Sequence, residues 1–130
     1  MSKEQVKTAV AAYFAGIRNN DKEAWLSNFA EDGVGHDPVG APAYEGQEAL
    51  AKFFDGMNQM FASVTLVEQD VFIAGKEAAV SWQGEIIGKN GRTVTFAGIN
   101  TFIINDEGKI SLLKAYWSPG AMMKALKGES

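Results

Sequence analysis

The chain has no cysteine among its 130 residues, which excludes disulfide frameworks, thiol catalysis and cysteine-held zinc or iron–sulfur centres. Its single histidine, His36, cannot build a His cluster for a catalytic metal and speaks against a Ser-His-Asp triad. Basic charge is scarce as well: 12 Lys and Arg stand against 16 Asp and Glu, a net charge of −4, which argues against a nucleic-acid partner. Apolar runs stay well short of a membrane span, and Met1 to Gln5 lack the basic-then-apolar form of a secretory signal. The expectation is a soluble, cytoplasmic protein with no membrane partner and no metal.

What is present is a single domain, 1–130, of ordinary globular composition, 46% hydrophobic and 22% charged. Three Pro and 14 Gly are scattered as punctuation, with no linker or repeat. Val6, Val10, Tyr13, Phe14 and Ile17 recur at helical spacing and predict a helix over Glu4 to Arg18. Asn20 with Glu23 reads as a capping box opening a second short helix that presents Trp25, Leu26 and Phe29 and ends in a turn at Glu31-Asp32-Gly33. A short extended piece, Val34 to Val39, leads to a third helix over Gln47 to Phe61, with Leu50, Phe53, Phe54, Met57, Met60 and Phe61 as its buried stripe.

The second half changes period. Val64–Ile73, Ala78–Ile87, Arg92–Ile104 and Ile110–Trp117 are rich in β-branched and aromatic residues and are separated by short glycine-containing turns. Strands joined so closely pair as antiparallel hairpins. The fold class is therefore α+β: three N-terminal helices packed on a strongly curved antiparallel sheet. Helices over one face of a bent sheet leave a pocket suited to a small hydrophobic ligand. Met122, Met123 and Leu126 either cap that pocket or pack a final short helix.

Three polar residues stand in apolar company. Asp37, between Gly35 and Pro38-Val39, is either a turn residue capping nearby N–H groups or a general base whose pKa the surroundings raise. Strand alternation points the preceding His36 to the opposite face, where it is solvated or backs the sheet. Tyr13 shares the apolar stripe of the first helix, so its phenol either bonds a backbone carbonyl or serves as a neutral donor aimed into the pocket. Asn100, mid-strand between Gly98 and Phe102, sits where propensity disfavours it. Its amide bonds at a ladder edge or dimer interface, or it contacts a ligand. The Gly88-Lys89-Asn90-Gly91 stretch is a hairpin turn, since no helix follows to make it a phosphate loop. The aromatic residues, 11% of the chain, mostly belong to the core; Phe54, Trp82 and Trp117 are the ones expected to contact a substrate.

Together the three positions resemble the ketosteroid isomerases (steroid delta-isomerases) within the wider nuclear-transport-factor-2-like, or SnoaL-like, superfamily, over roughly Glu4 to Ser118. Tyr13 falls on the first helix where the family carries its oxyanion-hole tyrosine. Asp37-Pro38-Val39-Gly40 resembles the segment that holds the catalytic base, and Ala97 to Phe102 the strand with the second oxyanion donor. The resemblance implies a cone-shaped, cystatin-like α+β barrel, a steroid-like or polycyclic ligand, no cofactor, and a homodimer through the sheet face. It also implies a reaction in which Asp37 takes a proton α to a ketone while Tyr13 and Asn100 donate to the developing oxyanion. Two positions depart from the family: Asn100 stands where members have an acid, and Phe53-Phe54 where some place a supporting tyrosine. The superfamily also contains polyketide cyclases, dehydratases and non-catalytic binding modules, so fold alone does not choose among activities.

Overall fold

Ser2 starts the first helix with a reciprocal cap. Its hydroxyl accepts from the Gln5 N–H at 3.2 Å, and its own N–H donates to Gln5 Oε1 at 2.9 Å, which satisfies two of the donors a helix start leaves unpaired. Helix α1 (Lys3–Arg18) then buries Val6, Val10, Tyr13, Phe14 and Ile17, the stripe expected from spacing. The structure, a computed structural model, describes residues 2–128; Met1, Glu129 and Ser130, the ends of the expected 1–130 domain, lie outside the described residues.

Helix α2 (Lys22–Ser27) is shorter than its sequence pattern and is capped by a different residue. Asp21, not Asn20, accepts from the Ala24 N–H, at 3.1 Å, because Asn20 turns the chain in the left-handed region at φ 51, a conformation asparagine tolerates. Phe29 is not helical but opens strand β1 (Phe29–His36), and Glu31-Asp32-Gly33 runs inside that strand. Pairing with a distant strand overrides the local turn preference there: Phe29 stands in register with Ile110, whose N–H donates to Asn28 O at 2.8 Å. A two-residue strand β2 (Tyr44–Glu45), helix α3 (Gly46–Met60), strands β3 (Phe61–Ala74), β4 (Glu77–Gly88), β5 (Thr93–Ile104) and β6 (Ile110–Tyr116), and helix α4 (Pro119–Leu126) complete the chain.

The six strands form one curled sheet in the order β2-β1-β6-β5-β4-β3. Strands β3 to β6 make the expected antiparallel meander. The sheet is antiparallel as expected except at β1, an extended piece that the sequence did not assign to the sheet and that runs parallel to β6. Parallel pairing needs a long crossover, and the chain between β1 and β6, through α3 and four strands, provides one.

Helices α1, α2 and α3 cover one face. Gly16 lets α1 and α2 touch, since a Cβ there would lie 2.9 Å from Trp25 Cβ. Tyr13 packs edge-on against Phe102 at 5.2 Å between centroids, and Trp25 lies 4.8 Å from Phe29. Each such large side chain contributes about 1.5–3 kcal/mol by leaving water. A second, smaller cluster of Phe61, Ile86, Val94, Met122 and Leu126 holds α4 against the sheet. No helix among the described residues is long and apolar enough to cross a membrane.

Candidate active site

Sheet pairing assembles the site. In β4, β5 and β6 the buried residues alternate: Val80, Trp82 and Ile86; Asn100, Phe102 and Ile104; Leu113 and Ala115. Val80 faces Asn100 in register, and Asn100 faces Ala115. On the other side of β6, His36 pairs with Lys114, so Asp37 follows beside Ala115 on the inner side, in step with the buried Gly33 and Gly35. His36 is partly exposed and alternates to the other face, as expected.

The segment after β1 is tied down. Val39 N–H donates to Ala115 O at 2.8 Å, and the Asp37–Pro38 peptide is cis. Two residues beyond Ala115, on the same side of the chain, Trp117 donates its indole N–H to Asp37 Oδ1 at 2.7 Å. Asp37 is thus held by a residue 80 positions away. Desolvation pushes its pKa up from 3.8 to about 6, with the Trp117 hydrogen bond pulling in the other direction.

Tyr13 is 1% exposed. Burial raises its phenol well above the ordinary value of 10.0, the nearby Asp37 charge adds to the rise, and the Asn100 amide opposes it. The phenol is therefore a neutral donor at every physiological pH. Asn100, also 1% exposed, accepts at Oδ1 from the Trp82 indole N–H at 2.9 Å.

All five of these residues line one cavity of about 490 Å³, within the range of small-molecule sites. Its other walls are almost wholly apolar, and its exposed lining residues, Lys52, Gly56, Met60 and Pro119, mark the side that opens to solvent. A carboxylate near pKa 6 beside two neutral donors in an apolar hollow is chemically able to move a carbon-bound proton and to hold the oxyanion that results. Among the described residues no three His, Cys, Asp or Glu side chains gather as a metal cluster.

Of the sequence-derived positions, Tyr13, Asp37, Asn100, Trp82 and Trp117 come together on this cavity. Phe54 does not: it is 2% exposed and packs at 5.2 Å from Trp25 in the core, while its neighbour Phe53 lines the cavity. Consecutive residues on a helix point about 100° apart, and the sequence pattern placed both on one apolar stripe. Met122 and Met123 line the cavity from α4, and Tyr44 from β2, where it lies 4.8 Å from Phe53. Tyr44 lies outside every sequence pattern, because a two-residue strand has no readable period.

The sequence model of the SnoaL-like domain matches residues 10–113. Among solved structures, SalBIII, described as an epoxide hydrolase/cyclase-like enzyme with a role in pyran ring formation in the polyether salinomycin, is 29% identical with a TM-score of 0.82, over 92% of this chain and 95% of that one. A Δ5-3-ketosteroid isomerase from Mycobacterium sp. is 26% identical with a TM-score of 0.77, over 88% and 93%. RV0760c from Mycobacterium tuberculosis, solved in complex with estradiol-17β-hemisuccinate, shares the fold at 24% identity and a TM-score of 0.81, over 91% and 96%.

Proposed function

The chain belongs to the SnoaL-like domain family, and from that premise we propose that it is a cofactor-free enzyme acting on a ketone-bearing, steroid-like or polycyclic substrate. In this reading the Asp37 carboxylate removes a proton from the carbon α to the ketone. The electron pair of that C–H bond moves into the ring system, and the carbonyl oxygen becomes the oxyanion of a dienolate. Tyr13 O–H and the Asn100 amide donate to that oxygen. The Asp37 carboxylic acid then returns the proton two carbons along, and the C=C bond ends in conjugation with the ketone. The base is regenerated, and atoms and charge balance without a further reactant.

The observation that carries the reading is the Asp37 carboxyl: anchored by Trp117 at 2.7 Å, pushed up to about 6, and facing the same cavity as Tyr13 and Asn100. A base of that pKa is mostly ionised at pH 7 yet still basic enough to take a proton. Likeness to the mycobacterial ketosteroid isomerase supports the reaction class. The test is absorbance near 248 nm, where conjugated enones absorb, after mixing with a 3-oxo-Δ5-steroid. A rise that is absent in Asp37→Asn supports the isomerase. A flat trace sinks it.

The 29% identity to SalBIII favours a second reading. There the same base takes the proton of a substrate hydroxyl whose oxygen attacks an epoxide carbon; the epoxide C–O bond breaks, Tyr13 and Asn100 donate to the oxygen that leaves carbon, and the Asp37 carboxylic acid returns the proton to it. Product analysis separates the two, since isomerisation forms no new ring. A binding module without chemistry predicts tight steroid binding with no product of either kind.

We also propose that a second copy of the chain covers the outer face of the sheet. Val67, Ile99, Ile103 and Tyr116 share that face by register and stand 45%, 49%, 37% and 46% exposed, apolar groups that a second copy would remove from water. Sedimentation equilibrium at micromolar protein reads this directly; a monomer sinks it.

A further inference from the structure

Asn100, 1% exposed, is the one buried amide side chain among the described residues. A carboxamide in that position has two faces, an acceptor and a double donor, and which one the cavity meets depends on its neighbour. That neighbour is Trp82. In the β4–β5 register Trp82 lies opposite Gly98, so Asn100 is its diagonal neighbour on the inner face. A Cβ at position 98 would stand 2.4 Å from Trp82 Cζ2. The missing side chain is what lets the indole lie flat along β5 and reach residue 100. Phe96 packs edge-on at 5.2 Å and holds the ring from the other side.

An indole nitrogen can only donate. At 2.9 Å it occupies Asn100 Oδ1, and both amide hydrogens are left for the side where the Tyr13 hydroxyl lies. The downward pull of Asn100 on the Tyr13 phenol agrees with that orientation. Rotating the amide by half a turn would set N–H₂ against the indole N–H, two buried donors with no acceptor between them, an arrangement folded proteins avoid.

We propose that Trp82 is a positioning residue that locks the Asn100 amide as a permanent donor. The cavity therefore selects ligands that place an oxygen acceptor (a ketone, enolate or ring oxygen) against residue 100 over apolar ligands of the same shape that offer none. This rests on the reading of Tyr13 and Asn100 as an oxyanion site, and it adds a residue that acts through one of them.

The test uses two probes of similar shape, 2-acetylnaphthalene, which offers only an acceptor, and 2-isopropylnaphthalene, which offers neither. Wild-type protein binds the ketone more tightly, and Trp82→Phe, which alters the apolar wall for both probes, loses roughly three- to tenfold more affinity for the ketone than for the hydrocarbon, the scale of one net hydrogen bond. In the Asn100→Ala background Trp82→Phe causes no further loss. The infrared C=O stretch of the bound ketone moves with Trp82→Phe toward its position in Asn100→Ala. Equal losses for both probes, or the same loss with Asn100 removed, overturn the lock and leave the oxyanion site standing. A wild-type protein with no preference for the ketone overturns both. If Trp82→Phe fails to fold, the Trp82 indole proton of the wild type still decides: slow exchange with solvent that becomes fast in Asn100→Ala supports the bond, and equal rates in the two proteins overturn it.

Discussion

Strand β5 has two faces one residue apart. Phe96, Gly98, Asn100 and Phe102 look inward to the cavity and core, whereas Thr95, Ala97, Ile99, Thr101 and Ile103 look outward. Both faces carry polar and apolar groups on the same backbone, so what separates them is the surroundings. Inside, a single amide is ringed by aromatic carbon, and each hydrogen bond is strengthened by the low local dielectric. Outside, threonines meet water and contribute little, while the exposed isoleucines are the groups that gain from being covered. Polarity is rare and consequential on one face; apolarity is exposed and consequential on the other.

That contrast predicts large effects inside and small ones outside. Asp37→Asn is expected to lower turnover by roughly 10³-fold, read as the enone absorbance of a steroid substrate. The wild-type profile of kcat/KM should rise tenfold per pH unit below about 6 and flatten above it, because the ionised carboxylate is the working form. The same residue opposes folding. Its folded pKa lies above its unfolded one, so the native state binds the proton more tightly. The stability this group contributes is complete below about pH 4 and is lost as pH rises through about 6. Asp37→Asn should therefore be more stable than wild type at pH 7, by about 3 kcal/mol, with the difference vanishing below about pH 4. Thermal melts across that range check the sign; a variant less stable at pH 7 would refute it.

Tyr13→Phe is next in size, about 10²-fold in turnover for the loss of one oxyanion donor, with the fold retained, because the ring still fills its place against Phe102. Asn100→Asp is smaller and opposite in sign. A carboxyl buried beside Trp82 and Tyr13 stays protonated and is a stronger donor than an amide, so turnover near neutral pH should rise, by up to about tenfold. An unchanged or slower variant would mean that the amide serves a different ligand. Smallest at the site is Ile99→Lys on the outer face. It should halve the mass in sedimentation and leave turnover per site within about twofold, the range of an ordinary surface substitution. A large loss of activity there would erase the contrast between the two faces.

Local pattern carried a great deal of this. The stripe of α1 and the alternation along β4 and β5 were readable because helical and strand periods act within a few residues. Alternation set Asn100 on one face with Gly98 and Phe102 and left open whether that face met a ligand, a ladder edge or a partner. Other features were out of reach of any window. Phe53 and Phe54 both fit the apolar stripe of α3, and only the place of Trp25 decides which one enters the core. Asp37 needed Trp117, 80 residues on, and Asn28 and Phe29 needed Ile110.

By itself, the sequence determined the class of the fold, the buried stripe of α1, and the three polar residues that break an apolar pattern. These depend on short-range geometry and on the free energy of removing carbon from water. Tertiary structure alone decided the parallel seat of β1 on β6, the indole that anchors Asp37 and the indole that orients Asn100. Each is a contact between segments whose meeting depends on how the whole sheet curls. A hydrogen bond between distant residues leaves no periodic trace in the chain, which is why the partners of the polar groups became visible only in the folded molecule.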